Sequence, residues 1–258
     1  MGGWADMFMA GAWAATIFDA VVCLGVPIAA LVFFAVRRRK LVVPFLLGVI
    51  GFLVSQVVLR LPLLAIIQST AGYAAFATVQ PLLATLLVCL SAGLFEETAR
   101  YLLLRNYTTH FAGFNLGVPL AYGLGHGGLE AILLVGANCL IAMFTPGMVG
   151  VVTGPMDALA GVERISAMMF HVGASIVIYQ GVTRHKPGYL VLAILLHTAY
   201  NLPTGLSSGI ASHLVAYEAV LFVASAVFLS VVIALTVRGR RRAGASLWAD
   251  AEMSTASK

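Results

Sequence analysis

At 258 residues the chain has the length of one or two soluble domains, yet 61% of it is hydrophobic and only 10% is charged. A soluble surface requires about 25% charged residues, so a disordered chain, a disulfide-stapled secreted domain and a cytosolic enzyme are all excluded. The net charge of +5 comes from clusters of Lys and Arg between apolar runs, which fits membrane topology and argues against nucleic acid as a partner.

A helix crosses the hydrocarbon in about 20 residues. Seven apolar segments qualify, near 13–36, 41–67, 76–104, 117–144, 161–183, 187–203 and 214–237. The expected fold class is all-α, a polytopic membrane protein of about seven transmembrane helices. One transmembrane domain covers residues 1–242, and the small, polar segment 243–258 is expected to be a disordered tail. The first segment is not a signal peptide, because its positive charge follows the apolar run and the run is too long. The sixth is short enough to be partly re-entrant. Arg37, Arg38, Arg39 and Lys40 follow the first segment, Arg105 the third, Arg184 and Lys186 the fifth, and Arg238 with Arg240–Arg242 the seventh. Alternating spans put all of these on one side, which the positive-inside bias identifies as cytoplasmic, with the N-terminus outside. Cys23, Cys89 and Cys139 lie in apolar runs without metal-ligand spacing and read as packed thiols.

Ionisable groups inside a bilayer need a partner or a task. Counted at 1.5 Å per residue from the basic loops, Asp19, Arg60, Glu163, Arg164 and Glu218 fall roughly 25–33 Å away, at the outer boundary. Snorkelling or mutual pairing accounts for them there, with Asp19 and Arg60 as a natural pair. A second group lies at about 12–22 Å: Glu96 and Glu97 in the third segment, His126 and Glu130 in the fourth, His171 in the fifth, and His197 and Asn201 in the sixth. His126/Glu130 and His197/Asn201 are spaced four apart, so each pair shares a helix face. These side chains are expected to converge on one hydrated intramembrane cavity between segments three to six, with Arg100 either as internal counter-charge or snorkelling to the cytoplasm. The run Gly123-Leu124-Gly125-His126-Gly127-Gly128 allows close helix approach.

Carboxylates, imidazoles and an amide around water suit hydrolysis. A carboxylate takes a proton from water attacking a carbonyl, and N–H groups stabilise the oxyanion. No Gly-x-Ser-x-Gly elbow is present, and Ser91, Ser166 and Ser175 have no nucleophile context. Two or three His with a Glu also make a zinc site, although HExxH is absent. The residues favour metal-free catalysis by glutamate, with zinc as the alternative; its ligands would be His126, His171, His197 and Glu96.

Four blocks in order, Phe95-Glu96-Glu97-Thr98-Ala99-Arg100, Tyr122-Gly123-Leu124-Gly125-His126-Gly127-Gly128-Leu129-Glu130, Glu163-Arg164 leading to Phe170-His171, and Leu196-His197-Thr198-Ala199-Tyr200-Asn201, resemble the YhfC family over about residues 90–203. That family is classed with glutamic-type intramembrane proteases and is related to the CAAX-prenyl endopeptidase and bacteriocin-processing (CPBP) proteases and, more remotely, to the PrsW proteases. The resemblance implies that Glu96 is the water-activating base, that His126 holds that water, and that Glu97 is an accessory carboxylate. It also implies that His197 and Asn201 line an oxyanion hole, with Glu130, His171 and Arg100 as further site residues. Two residues separate Glu97 from Arg100 where CPBP proteases have three, so Arg100 does not inherit their contacts, nor the chain a prenylated substrate. The implied partner is a membrane-anchored protein or peptide, and the implied location a bacterial plasma membrane. Two other classes fit buried Glu and His: a proton-coupled transporter, against which the absence of an inverted repeat counts, and an interaction or immunity scaffold that retains a protease-like core.

Overall fold

Hydrocarbon offers backbone amides no partner, so long apolar runs satisfy their hydrogen bonds inside helices. The computed structural model of the chain is helical throughout, an integral membrane protein, and describes residues 2–110, 114–151, 154–205 and 213–248. Among the described residues, six helices are long and apolar enough to span a bilayer: α1 (Gly3–Arg37), α2 (Arg39–Gln68), α4 (Pro81–His110), α5 (Gly117–Phe144), α6 (Ala158–Thr183) and α8 (Leu214–Arg242). Two shorter ones join them, α3 (Ala71–Val79) and α7 (Gly188–Gly205).

Two expectations about the spans change. The third expected segment is divided, because Pro81 has no amide to continue a helix and forces the residue before it out of the helical region; Gln80 has φ −130° and ψ 61°. The seventh span is not established. The segment expected at 187–203 does form α7, but its 18 residues rise only about 27 Å, and His197, Thr198, Tyr200 and Asn201 make it less apolar than the six.

Proline also shapes the first two spans. The backbone widens to π-type turns at Val21–Gly25 and Leu53–Arg60, and Pro27 and Pro62 each follow within two residues. A proline withholds one amide and crowds the carbonyl four residues back, which shifts the hydrogen-bond ladder.

Helix α6 is the centre of the bundle. In its apolar stretch 89% is buried, against 17–39% in the other five spans, and it is also the least apolar of them. Lipid selects apolar surface, so the helix shielded from lipid by α4, α5, α7 and α8 is the one free to carry Arg164, Ser166, His171, Ser175 and Gln180 as buried residues. Helix α5 lies between α2 and α6. A Cβ at Gly125 would collide with the Phe45 backbone on α2, and one at Gly123 with Val172 and His171 on α6; these glycines let three backbones close to contact. Past α8 the chain folds back. Leu116 N donates to Leu247 O at 3.0 Å, and Arg240 donates to Ser246 O at 2.6 Å while its guanidinium lies 4.5 Å from the Phe114 ring. The start of the expected tail is thus held against α5, and residues 249–258 lie outside the described residues.

Candidate active site

Adjacent helical residues diverge by about 100° around the axis, and α4 uses this to serve two sides of the bundle. Glu96 faces α2 and α5: its Oε2 lies 2.8 Å from His126 Nε2 and its Oε1 accepts from Gln56 Nε2. Glu97 faces α7, where its Oε1 is 2.7 Å from His197 Nδ1. Arg100, one turn along α4, donates from Nη1 to both Glu97 oxygens at 2.7 Å and from Nη2 to His171 Nδ1 at 2.9 Å. His171 Nε2 lies 2.7 Å from Glu130 Oε2. Glu130 Oε1 accepts from Arg164 Nη1 at 2.9 Å, and Arg164 Nη2 donates to Glu163 Oε1 at 2.6 Å.

The tautomers follow from which groups can accept. A carboxylate only accepts, so His197 carries its proton on Nδ1, His126 on Nε2 and His171 on Nε2; the last leaves His171 Nδ1 as acceptor for Arg100. In the neutral rings His197 Nε2 is then a lone pair 3.8 Å from Glu96 Oε2, and His126 Nδ1 is a buried lone pair with no partner among the described residues. The Gln56 amide is fixed in the same way. Arg60 Nη1 donates to Gln56 Oε1 at 2.8 Å, and arginine cannot accept, so the amide N–H turns to Glu96. Arg60 is held in turn by Ser91 Oγ and Val88 O, both at 2.9 Å.

Of the residues named from the sequence, the structure brings together Glu96, Glu97, Arg100, His126, Glu130, His171 and His197 from four helices in two hydrogen-bonded groups, Glu96–His126 and His197–Glu97–Arg100–His171–Glu130, which meet at the 3.8 Å His197–Glu96 contact. The imidazoles stack into a core, His126 and His171 at 4.6 Å between centroids and His171 and His197 at 5.4 Å. The side chains expected around a cavity are packed on one another instead: Glu96, Glu97, Arg100, His126, His171 and His197 are 0–4% exposed, and only Glu130 (17%) and Glu163 (27%) open outward. Asn201 stands one turn beyond His197, half-buried, and forms no hydrogen bond among the described residues.

Four participants were not read from the sequence as part of this site. Gln56, Arg60, Glu163 and Arg164 are all bonded into it. The expected Asp19–Arg60 pair does not form: Asp19 Oδ1 accepts from Gly161 N at 3.0 Å, and Arg60 turns to Gln56. Depth along a helix fixes a layer but not a direction around the axis, and the widened turn at Leu53–Arg60 changes that direction. The available signal was the polar i, i+4 spacing of Gln56 and Arg60, the same spacing that singled out His126 and Glu130.

Glu96, His126 and His171 each offer one ligand atom, and the three atoms lie within 4.8 Å of one another. One carboxylate and two imidazoles with room for water are a catalytic zinc donor set. The carboxylate behind His171, Glu130, is the outer support that metal-bound histidines characteristically have. Both His171 nitrogens are engaged here, so an ion on His171 replaces one of Arg100 and Glu130. With that exchange the residues fit a divalent metal.

A family model described as YhfC intramembrane metalloprotease matches residues 22–146 and 142–221. The match therefore includes Gln56 and Arg60, which lie ahead of the motifs that carried the resemblance. A protein of Bacillus subtilis (strain 168), named Uncharacterized membrane protein YhfC, is 33% identical over 156 residues, 50% of this chain and 60% of that protein. The alignment thus spans less than two-thirds of that relative's length. No solved structure matches the chain.

Proposed function

The chain belongs to the YhfC family, and on that premise we propose that it is an intramembrane peptidase. Its substrate in this reading is a membrane-anchored protein or peptide, cleaved at a centre where Glu96, His126 and His171 hold a divalent metal ion, zinc foremost. One observation carries the reading: the convergence of those three ligand atoms within 4.8 Å, deep in a membrane bundle. Bound there, zinc supplies a Lewis acid and a water whose pKa falls to about 7.

The protein's own residues do the rest. Gln56 holds Glu96 Oε1 and leaves Oε2 for the centre. Glu130 orients the His171 ring, and Arg164 holds Glu130 in place. His197, fixed by Glu97, presents its Nε2 lone pair beside Glu96. It takes the proton of the attacking water as the oxygen bonds to the carbonyl carbon, and returns it to the amine nitrogen as the C–N bond breaks. The free amide of Asn201 donates to the oxyanion. Substrate reaches the centre past Glu130 and Glu163, the two carboxylates that are not closed in. The basic ends of the helices face the cytoplasm and the N-terminus lies outside.

A second reading dispenses with metal, Glu96 activating water with His126 as its partner. The 2.8 Å Glu96–His126 pair and the Arg100 bond that engages His171 favour it. Metal analysis of purified protein, with cleavage of a library of single-span substrates before and after chelation, separates the two. The metal reading expects one zinc per chain, lost in His126→Ala, and activity that chelation abolishes and zinc restores. Undiminished cleavage by metal-free protein would select the second reading. Glu96→Gln cleaving as well as the parent would sink both, and solute flux in liposomes without a cleaved product would replace them with transport.

A further inference from the structure

At the start of α5, ahead of His126 and Glu130, a separate cavity of about 960 Å³ opens between the end of α1, the start of α2 and the start of α5. It is within the 300–1,000 Å³ range of small-molecule sites. Its wall is apolar, with Phe33 and Phe34 from α1 and Leu120 and Leu124 from α5, and Trp248 stands at its edge. Trp248 is held there by the pairing of its segment with Asn115 and Leu116. Its rim is the run Arg37, Arg38, Arg39 and Lys40.

These four cations are all exposed, and none makes an ion pair or side-chain hydrogen bond among the described residues. No described carboxylate neutralises them. Each described carboxylate belongs to the interior site, as Glu163 does, or lies elsewhere along the bundle and does not line this cavity, as with Asp6, Asp19, Asp157 and Glu218. A soluble anion would satisfy the rim and leave the aromatic and leucine wall empty; a neutral lipid would fill the wall and leave the rim unpaired. Only an amphiphile with an anionic head matches both, and a basic rim over an apolar crevice at the membrane boundary is how acidic lipid headgroups are held.

We propose that this cavity binds an anionic glycerophospholipid of the surrounding bilayer. Its phosphate sits on the Arg37–Lys40 run, and an acyl chain lies along Phe33, Phe34, Leu120 and Leu124. The site is independent of the peptidase reading, since it shares no side chain with the Glu–His network.

The test is native mass spectrometry of the purified full chain incubated with phosphatidylglycerol, phosphatidylcholine or inorganic phosphate. The parent retains phosphatidylglycerol in preference to phosphatidylcholine, and millimolar phosphate does not release it. Arg38→Gln combined with Arg39→Gln keeps Arg37 and Lys40 for topology and weakens retention about tenfold or more. Ala29→Phe, at an exposed position of the cavity wall, fills the crevice without touching charge and lowers retention as well. Equal retention of both lipids by the parent, or parent-like retention by both variants, overturns the proposal. Release by phosphate makes this an inorganic anion site and overturns it too. So does selective binding that emerges only when the chain is cut after Trp248, for then the segment carrying Asp250 and Glu252 is the occupant.

Discussion

Two sets of arginines in this protein are treated in opposite ways. Arg60, Arg100 and Arg164 lie inside the bundle at 0–8% exposure, and each is bonded into the same site. Arg60 reaches Glu96 through Gln56, Arg100 bridges Glu97 and His171, and Arg164 reaches His171 through Glu130. Arg37–Arg39, Arg241 and Arg242 stand at the helix ends, exposed and without ion pairs among the described residues. The residue type is the same, but an interior cation in low dielectric needs a carboxylate or several fixed acceptors around it, whereas an end cation is stabilised by water and lipid headgroups. The three buried arginines therefore mark the place where the carboxylates of Glu96, Glu97 and Glu130 gather, and the end arginines report topology and surface.

Removing an interior cation tests the contrast most severely. Arg100→Leu leaves the fully buried Glu97 without its counter-charge and is expected to cost about 3–5 kcal/mol, visible as a large drop in the thermal unfolding midpoint of the purified protein; a parent-like midpoint would break the comparison at its strongest point. Gln56→Leu removes no charge but strands Glu96 Oε1 and Arg60 Nη1. About 1–3 kcal/mol is expected for such buried, unsatisfied groups, together with a fall of about 10–100-fold in zinc affinity measured by chelator competition. Unchanged affinity would show that Gln56 packs without supporting Glu96. Glu163→Gln is smaller: Arg164 keeps Glu130, and the lost pair is partly exposed, so about 0–1 kcal/mol is expected by the same unfolding measurement. Smallest is Arg241→Gln, whose unfolding midpoint should match the parent's; a shift comparable with that of Gln56→Leu would erase the distinction between the two sets.

Much of the site was legible because charge in an apolar segment is conspicuous. Glu96, Glu97, His126, Glu130, His171 and His197 stand out against hydrocarbon-length runs, and i, i+4 spacing puts His126 with Glu130 on one face. Gln56 was not legible in this way, being neutral and set in a run of valine and leucine. Arg164 stayed at the boundary in a count of depth, since its reach back to Glu130 depends on how α5 and α6 close over Gly123.

By itself the sequence determined the all-helical membrane class, six of the spans, the basic ends of the helices and the layer in which the acids and imidazoles lie. Each of these follows from local terms: backbone satisfaction in hydrocarbon, the cost of charge at depth, and the rise per residue. The tertiary structure alone decided which partner each charge takes. It turned Arg60 from Asp19 to Gln56, buried α6 among its neighbours and pointed the Glu97 carboxylate at α7. Those choices depend on rotation about helix axes, on proline-widened turns and on how closely glycine lets backbones approach, which are quantities that no window of the sequence contains.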